Sequence, residues 1–127
     1  MKEYADLSKE EKTLIMNFFA AFDPAFHRNI KQCLRSFIEK KGIFLYENQG
    51  CLFPTEFAEF NDVELGNSGV LFVFECPICQ EDEKELLVSD SAFTQLLSDA
   101  CANFSRKYPM ERESVTDLLD QFKESFL

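Results

Sequence analysis

Two cysteines raise the question of chemistry. Cys76 and Cys79 stand as Cys-Pro-Ile-Cys within residues 74–85, FECPICQEDEKE, ahead of an almost unbroken acidic run. The spacing suits a metal centre or a redox pair. A structural zinc ion takes about four ligands, as two such pairs or as one pair with two histidines. The chain offers one pair, a single histidine (His27) and three scattered cysteines, Cys33, Cys51 and Cys101. A zinc site could be assembled only with Cys51 and His27, or across a dimer. A redox pair needs a depressed thiol pKa, usually supplied by a helix N-terminus or by cations. Here Glu75 precedes Cys76, and Gln80-Glu81-Asp82-Glu83 follows Cys79, so the local field disfavours a thiolate. The plain alternative is a turn, with Pro77 fixing φ and Ile78 or a cysteine packed at a sheet end.

No other group forms a catalytic set. His27 lies between Phe26 and Arg28 with no nucleophile or orienting carboxylate in a motif around it. There is no Gly-rich phosphate loop, no H-E-x-x-H and no G-x-S-x-G. Carboxylates are abundant, but none has the apolar setting that would raise a pKa for acid–base work. The expectation is a protein that is not an enzyme and has no metal, no cofactor and no catalytic residues.

What remains is the acid. The 127 residues carry a net charge of −10, unevenly spread. Residues 1–41 hold eight basic and six acidic groups, and residues 91–127 hold four and six. Residues 42–90 hold eleven acids against one base, Lys84. A duplex nucleic-acid partner is disfavoured, because phosphate binding needs a basic footprint. A basic protein partner is favoured, since complementary fields speed encounter. Glu56, Glu59, Asp62 and Glu64 interleave with Phe57, Phe60, Val63 and Leu65, and Glu75, Glu81, Asp82 and Glu83 follow. Taken singly, these acids read as the solvated reverse of a core. Taken together, with one base among them, they read as a partner-binding face.

The elements that would carry this face follow from periodicity. Ser8-Lys9-Glu10-Glu11 has the spacing of a capping box, and Leu14, Ile15, Phe18, Phe19 and Phe22 form an apolar helical stripe behind it. Asp23-Pro24 predicts the start of a second helix running to about Lys41, with Gly42 just past its end. Ile43–Tyr46 and Cys51–Phe53 read as strands flanking the turn 47–50. Residues 55–65 fit either a short helix or an irregular edge strand. Val70–Phe74 is apolar on both faces and belongs inside the sheet, and Leu86–Val88 is a further strand. Ser89 or Asp90 caps a helix ending at Tyr108-Pro109, and residues 111–126 form a last amphipathic helix.

The expected fold is therefore α+β: two N-terminal helices, a three- to four-stranded antiparallel sheet and two C-terminal helices, in one domain over 1–127. No apolar run reaches the ~20 residues of a membrane span. The charged N-terminus is no secretory signal, and the cysteines suit a reduced, cytoplasmic protein.

With these elements placed, the chain resembles the small bacterial immunity proteins of contact-dependent growth inhibition systems, those paired with ribonuclease toxins. The likeness lies in the opening helix with Phe18-Phe19 and in Gly50-Cys51-Leu52-Phe53-Pro54 after a short hairpin. It continues in the Gly69-Val70-Leu71-Phe72 strand and in Val88-Ser89-Asp90-Ser91-Ala92-Phe93, leading into a helix that ends near Cys101. It covers most of residues 10–120. The Cys76–Cys79 stretch has no counterpart in the pattern. The resemblance implies a cytosolic inhibitor that binds a toxin domain, expected to be a basic ribonuclease, in a 1:1 complex, and blocks its active site or substrate groove. That acids mimic the RNA phosphates is an inference from charge, because the family pattern specifies no interface residues. The competing expectation is a thiol- or zinc-dependent regulator using Cys76 and Cys79.

Overall fold

The computed structural model describes residues 1–21, 29–45, 49–56, 68–74 and 84–126. Ser8 starts the first helix as its spacing predicts. Its hydroxyl accepts the Glu11 N–H at 3.1 Å, and the Glu11 carboxylate accepts the Ser8 N–H at 2.9 Å. Two orphan donors are satisfied at once. Helix α1 (Lys9–Ala20) then buries Ile15, Phe18 and Phe19.

Helix α2 (Ile30–Ile38) begins later than the Asp23-Pro24 signal suggests, and that signal lies outside the described residues. Asn29 is the cap: its side chain accepts the Gln32 N–H at 3.2 Å from an extended backbone. The end of α2 also differs from expectation. Lys40, not Gly42, takes the left-handed conformation, at φ 58°. Lys41 N–H bonds to the Ser36 carbonyl and Lys40 N–H to that of Phe37, both at 2.9 Å. This is a Schellman ending in which a lysine holds the place usually given to glycine. Gly42 is needed for a different reason: a Cβ there would run into the Cys51 carbonyl and crowd the Glu56 carboxylate.

The sheet is antiparallel throughout, in the order β1 (Ile43–Leu45), β2 (Gln49–Leu52), β3 (Val70–Phe74), β4 (Lys84–Val88). All five residues of β3 are buried, as expected of an inner strand. The register pairs Gln49 with Phe74 and Phe74 with Lys84 at one end of the sheet. At the other end Leu52 pairs with Leu71, and Val70 with Val88.

Helix α3 (Asp90–Lys107) is capped by Ser89, whose hydroxyl accepts the Ala92 N–H at 3.0 Å. A 3-10 turn over Pro109–Glu111 leads into α4 (Arg112–Phe126). One face of the sheet, including Phe72, Phe74, Leu86 and Val88, packs with residues of α1, α2, α3 and α4 into one core. Phe93 is its hub. Its ring lies 5.3 Å from Phe37, 5.7 Å from Phe53, 5.9 Å from Phe72 and 5.8 Å from Phe122. Such pairs contribute about 0.5–1.5 kcal/mol each beyond area burial. Leu52, Leu71 and Val73 form a smaller cluster, with Phe44 and Leu87 against it.

The first residues add an arm to this frame. Lys2 bridges to β4 in parallel fashion: its N–H donates to the Leu87 carbonyl at 2.8 Å, and its carbonyl accepts from Ser89 N–H at 2.9 Å. Ser89 Oγ donates to Glu3 at 2.8 Å, Tyr4 O–H donates to Asp99 at 2.7 Å, and Leu7 is buried in the core.

Candidate functional site

Of the acids expected to bind a partner, Glu56 is described; Glu59, Asp62, Glu64, Glu75, Glu81, Asp82 and Glu83 lie outside the described residues, as do His27, Cys76 and Cys79. Glu56 is half-buried, in a helical turn over residues 54–56. One of its carboxylate oxygens accepts the N–H groups of Gly42 and Phe53, each at 2.9 Å. It thus closes the turn that follows β2 and ties it to the chain entering β1. Asp90 has a similar duty, accepting the Gly69 N–H at 3.0 Å where the chain enters β3.

The register fixes where the two acidic segments leave the sheet. Residues 75–83 join Phe74 to Lys84, which are cross-strand partners, so both ends of that connection emerge side by side. The connection that contains residues 57–67 leaves β2 after Leu52 and enters β3 at Val70, at the opposite end of the sheet. The two ends of β3 are about 14 Å apart, at ~3.4 Å per residue.

Of the cysteines, Cys33, Cys51 and Cys101 are buried. Burial pushes the Cys51 thiol up to about 12, with nearby Glu56 adding to the rise, and burial pushes Cys101 to about 12 as well. Neither supplies a thiolate nucleophile or a ready metal ligand. Among the described residues, no three His, Cys, Asp or Glu side chains gather as a metal ion would require. None of the described helices is long and apolar enough to cross a membrane.

One surface was not foreseen from the sequence. Where α1 meets α3, a hollow of about 120 Å³ is walled by Met16, Phe19, Ala20, Phe104, Lys107 and Tyr108, among others. A second, of about 330 Å³, is bordered by Tyr4, Lys12, Asp99 and Arg106. Met16 and Asn103 line both, and the Asn103 amide lies 3.9 Å from the Met16 sulfur. The Lys12 ammonium stands 4.2 Å over the Tyr4 ring, Lys107 stands 5.4 Å from that of Tyr108, and Arg106 donates to Asn103. Lys12 and Arg106 are 94 positions apart, so no local spacing could have signalled their meeting.

The architecture is that of a small α+β protein whose distinctive features are surface charge and shape, with described thiols sealed inside. The chain belongs to the CDI immunity protein family, whose family model matches residues 9–119. This bears out the resemblance to contact-dependent growth inhibition immunity proteins. No curated protein and no solved structure matches the chain. Membership implies neutralisation of a cognate toxin by binding it, and suggests an inhibitor rather than an enzyme.

Proposed function

We propose that this chain neutralises a basic nuclease toxin, a ribonuclease, in a 1:1 complex in the cytoplasm. Its acidic connections cover the groove in which the toxin holds RNA. The observation that carries this reading is the charge distribution: eleven acids against one base over residues 42–90 of a family whose members are immunity proteins. So lopsided a segment repels itself without an internal counter-charge, and a basic partner relieves that repulsion. The same field accelerates encounter, which suits an inhibitor that must reach its toxin before the toxin reaches RNA.

The contact should bury ~800 Å² on each partner, the size of an ordinary specific interface. Glu59, Asp62, Glu64, Glu75, Glu81, Asp82 and Glu83 are its acids. Glu56 belongs at its edge, since one of its oxygens is committed to Gly42 and Phe53.

The test is co-purification with the product of the gene immediately upstream, followed by an RNA-cleavage assay of that product. The expected result is a stoichiometric complex with a basic domain whose ribonuclease activity the chain abolishes. A partner that is not a nuclease, or binding that leaves cleavage intact, overturns the proposal.

A further inference from the structure

Among the described strands, β4 is the last on its side of the sheet, so the backbone groups it turns away from β3 form an edge. An edge strand is a template for strand addition by another chain. Leu86-Leu87-Val88 is apolar and uncharged, and Lys84 and Glu85 before it carry opposite charges, so the strand has no net charge to deter pairing. What stands on this edge is the arm of residues 1–7. Its Lys2 N–H donates to the Leu87 carbonyl at 2.8 Å, and the Lys2 carbonyl accepts the Ser89 N–H at 2.9 Å.

The arm is not a fifth strand. Its ladder is a single bridge, Lys2 to Val88. The Glu3 N–H then donates to the Asp6 carboxylate at 3.2 Å, the Asp6 N–H to the Glu3 carbonyl at 3.0 Å, and the Leu7 N–H to the Tyr4 carbonyl at 3.3 Å. A fifth strand would offer a fresh edge; this segment uses its next donors on itself, in the 3-10 turn over Tyr4–Asp6. It is also fastened well beyond what one bridge needs. The Lys2 ammonium bonds Glu11 of α1 at 2.7 Å, Ser89 Oγ donates to Glu3 at 2.8 Å, Tyr4 O–H donates to Asp99 of α3 at 2.7 Å, and Leu7 is buried. These ties reach α1, the end of β4 and α3, and together they hold two main-chain hydrogen bonds on the edge.

We infer that the arm is an edge guard: it covers a site at which a second copy of this chain pairs once the arm lifts, β4 against β4. The occupant is a second copy because the bonding is main chain to main chain, and a two-fold axis lets each β4 offer the other the same groups. The charge of −10 on each copy slows their meeting but does not close the edge, since salt screens it beyond about 10 Å while the hydrogen bonds act at contact. Closing the edge leaves each chain single and available to its own partner. The inference concerns the chain alone and does not depend on the nature of the toxin.

The experiment is sedimentation velocity on the full chain over a concentration series, with thermal melts to check folding. Lys2→Pro removes the N–H that donates to Leu87 and also the ammonium that Glu11 holds; Lys2→Met removes the ammonium alone. The expected result is that Lys2→Pro self-associates about tenfold or more strongly than wild type or Lys2→Met, the scale of a few main-chain hydrogen bonds. Adding Leu87→Lys to Lys2→Pro places a charge on the uncovered edge and returns the chain to monomer. Glu3→Ala with Tyr4→Phe loosens the arm while Lys2 stays in place; it moves self-association in the same direction, and it carries the test if Lys2→Pro fails to fold. A folded, loosened variant that associates no more than Lys2→Met overturns the inference. So does association that survives Leu87→Lys, or a wild type that pairs as readily as the variants.

Discussion

The carboxylates of Glu11, Glu56, Asp90 and Asp99 each accept a hydrogen bond from a named donor, whereas Lys12, Arg106 and Lys107 make no ion pair with a described residue. Three ion pairs join described residues, through Lys2, Lys31 and Lys41. The difference shows that net charge does not tell which individual groups are available. Glu11 and Glu56 are part of the scaffold, because each satisfies backbone N–H groups that would otherwise go without a protein partner. The cations of the α1–α3 corner rest on aromatic rings or on an amide.

The largest effect should come from the acids that have no such scaffold duty assigned. Converting Glu75, Glu81, Asp82 and Glu83 together to Lys should weaken toxin binding by several orders of magnitude, chiefly through the association rate, while leaving the melting temperature close to wild type. A separate set, Glu59, Asp62 and Glu64 to Lys, tests the segment that leaves from the other end of the sheet. If only one set matters, the toxin sits at one end of the sheet; if both do, it spans the two departure points. Stopped-flow association across a range of salt concentrations distinguishes these results.

Glu56→Ala should behave in the opposite way. It leaves the Gly42 and Phe53 N–H groups without their acceptor and should cost about 1–2 kcal/mol of folding stability, tempered by water reaching a half-buried site. Urea denaturation gives the cost. Affinity per folded molecule should change far less than in the Lys variants, and a large affinity loss with unchanged stability would place Glu56 in the interface instead.

The last effect fades in acid. The Lys2 ammonium, bonded to the Glu11 carboxylate at 2.7 Å, and then the Ser8 N–H hold Glu11 down to about 2 despite its burial. A carboxylate depressed on folding stabilises the native state fully above its ordinary pKa near 4.5, and that contribution fades as pH falls to about 2. Glu11→Gln should therefore be less stable than wild type above about 4.5, with the gap closing towards about 2. Parallel stability curves across that range would show that the Lys2 pair contributes nothing measurable.

Much of the fold was legible because its signals are local. Ser8 and Glu11 are one helical turn apart, Ser89 sits directly before an apolar period, and Val70–Phe74 is apolar at every position. The misplaced boundaries have physical causes. Asp23-Pro24 is a good start signal, yet α2 is capped by Asn29; Lys40 takes the left-handed place just past the helix, and Gly42 instead passes close to Cys51. The candidate surfaces were legible only as composition. The acidic segments could be counted, but their departure from opposite ends of the sheet depends on register. The α1–α3 corner brings together residues from both ends of the chain, and the dual role of Glu56 as acid and cap needs Gly42 beside it.

The N-terminal arm has a consequence for synthesis. Lys2 pairs with Leu87 and Ser89, and Tyr4 with Asp99, so the arm's partners are made some 90 residues after it. The arm stays undocked until some 90 residues have followed it, although α1 can form as soon as its own turn emerges. Such an order makes the docking of this arm a late step of folding. The Met1 sulfur, close against Gly69 at the entry to β3, belongs to the same late contact.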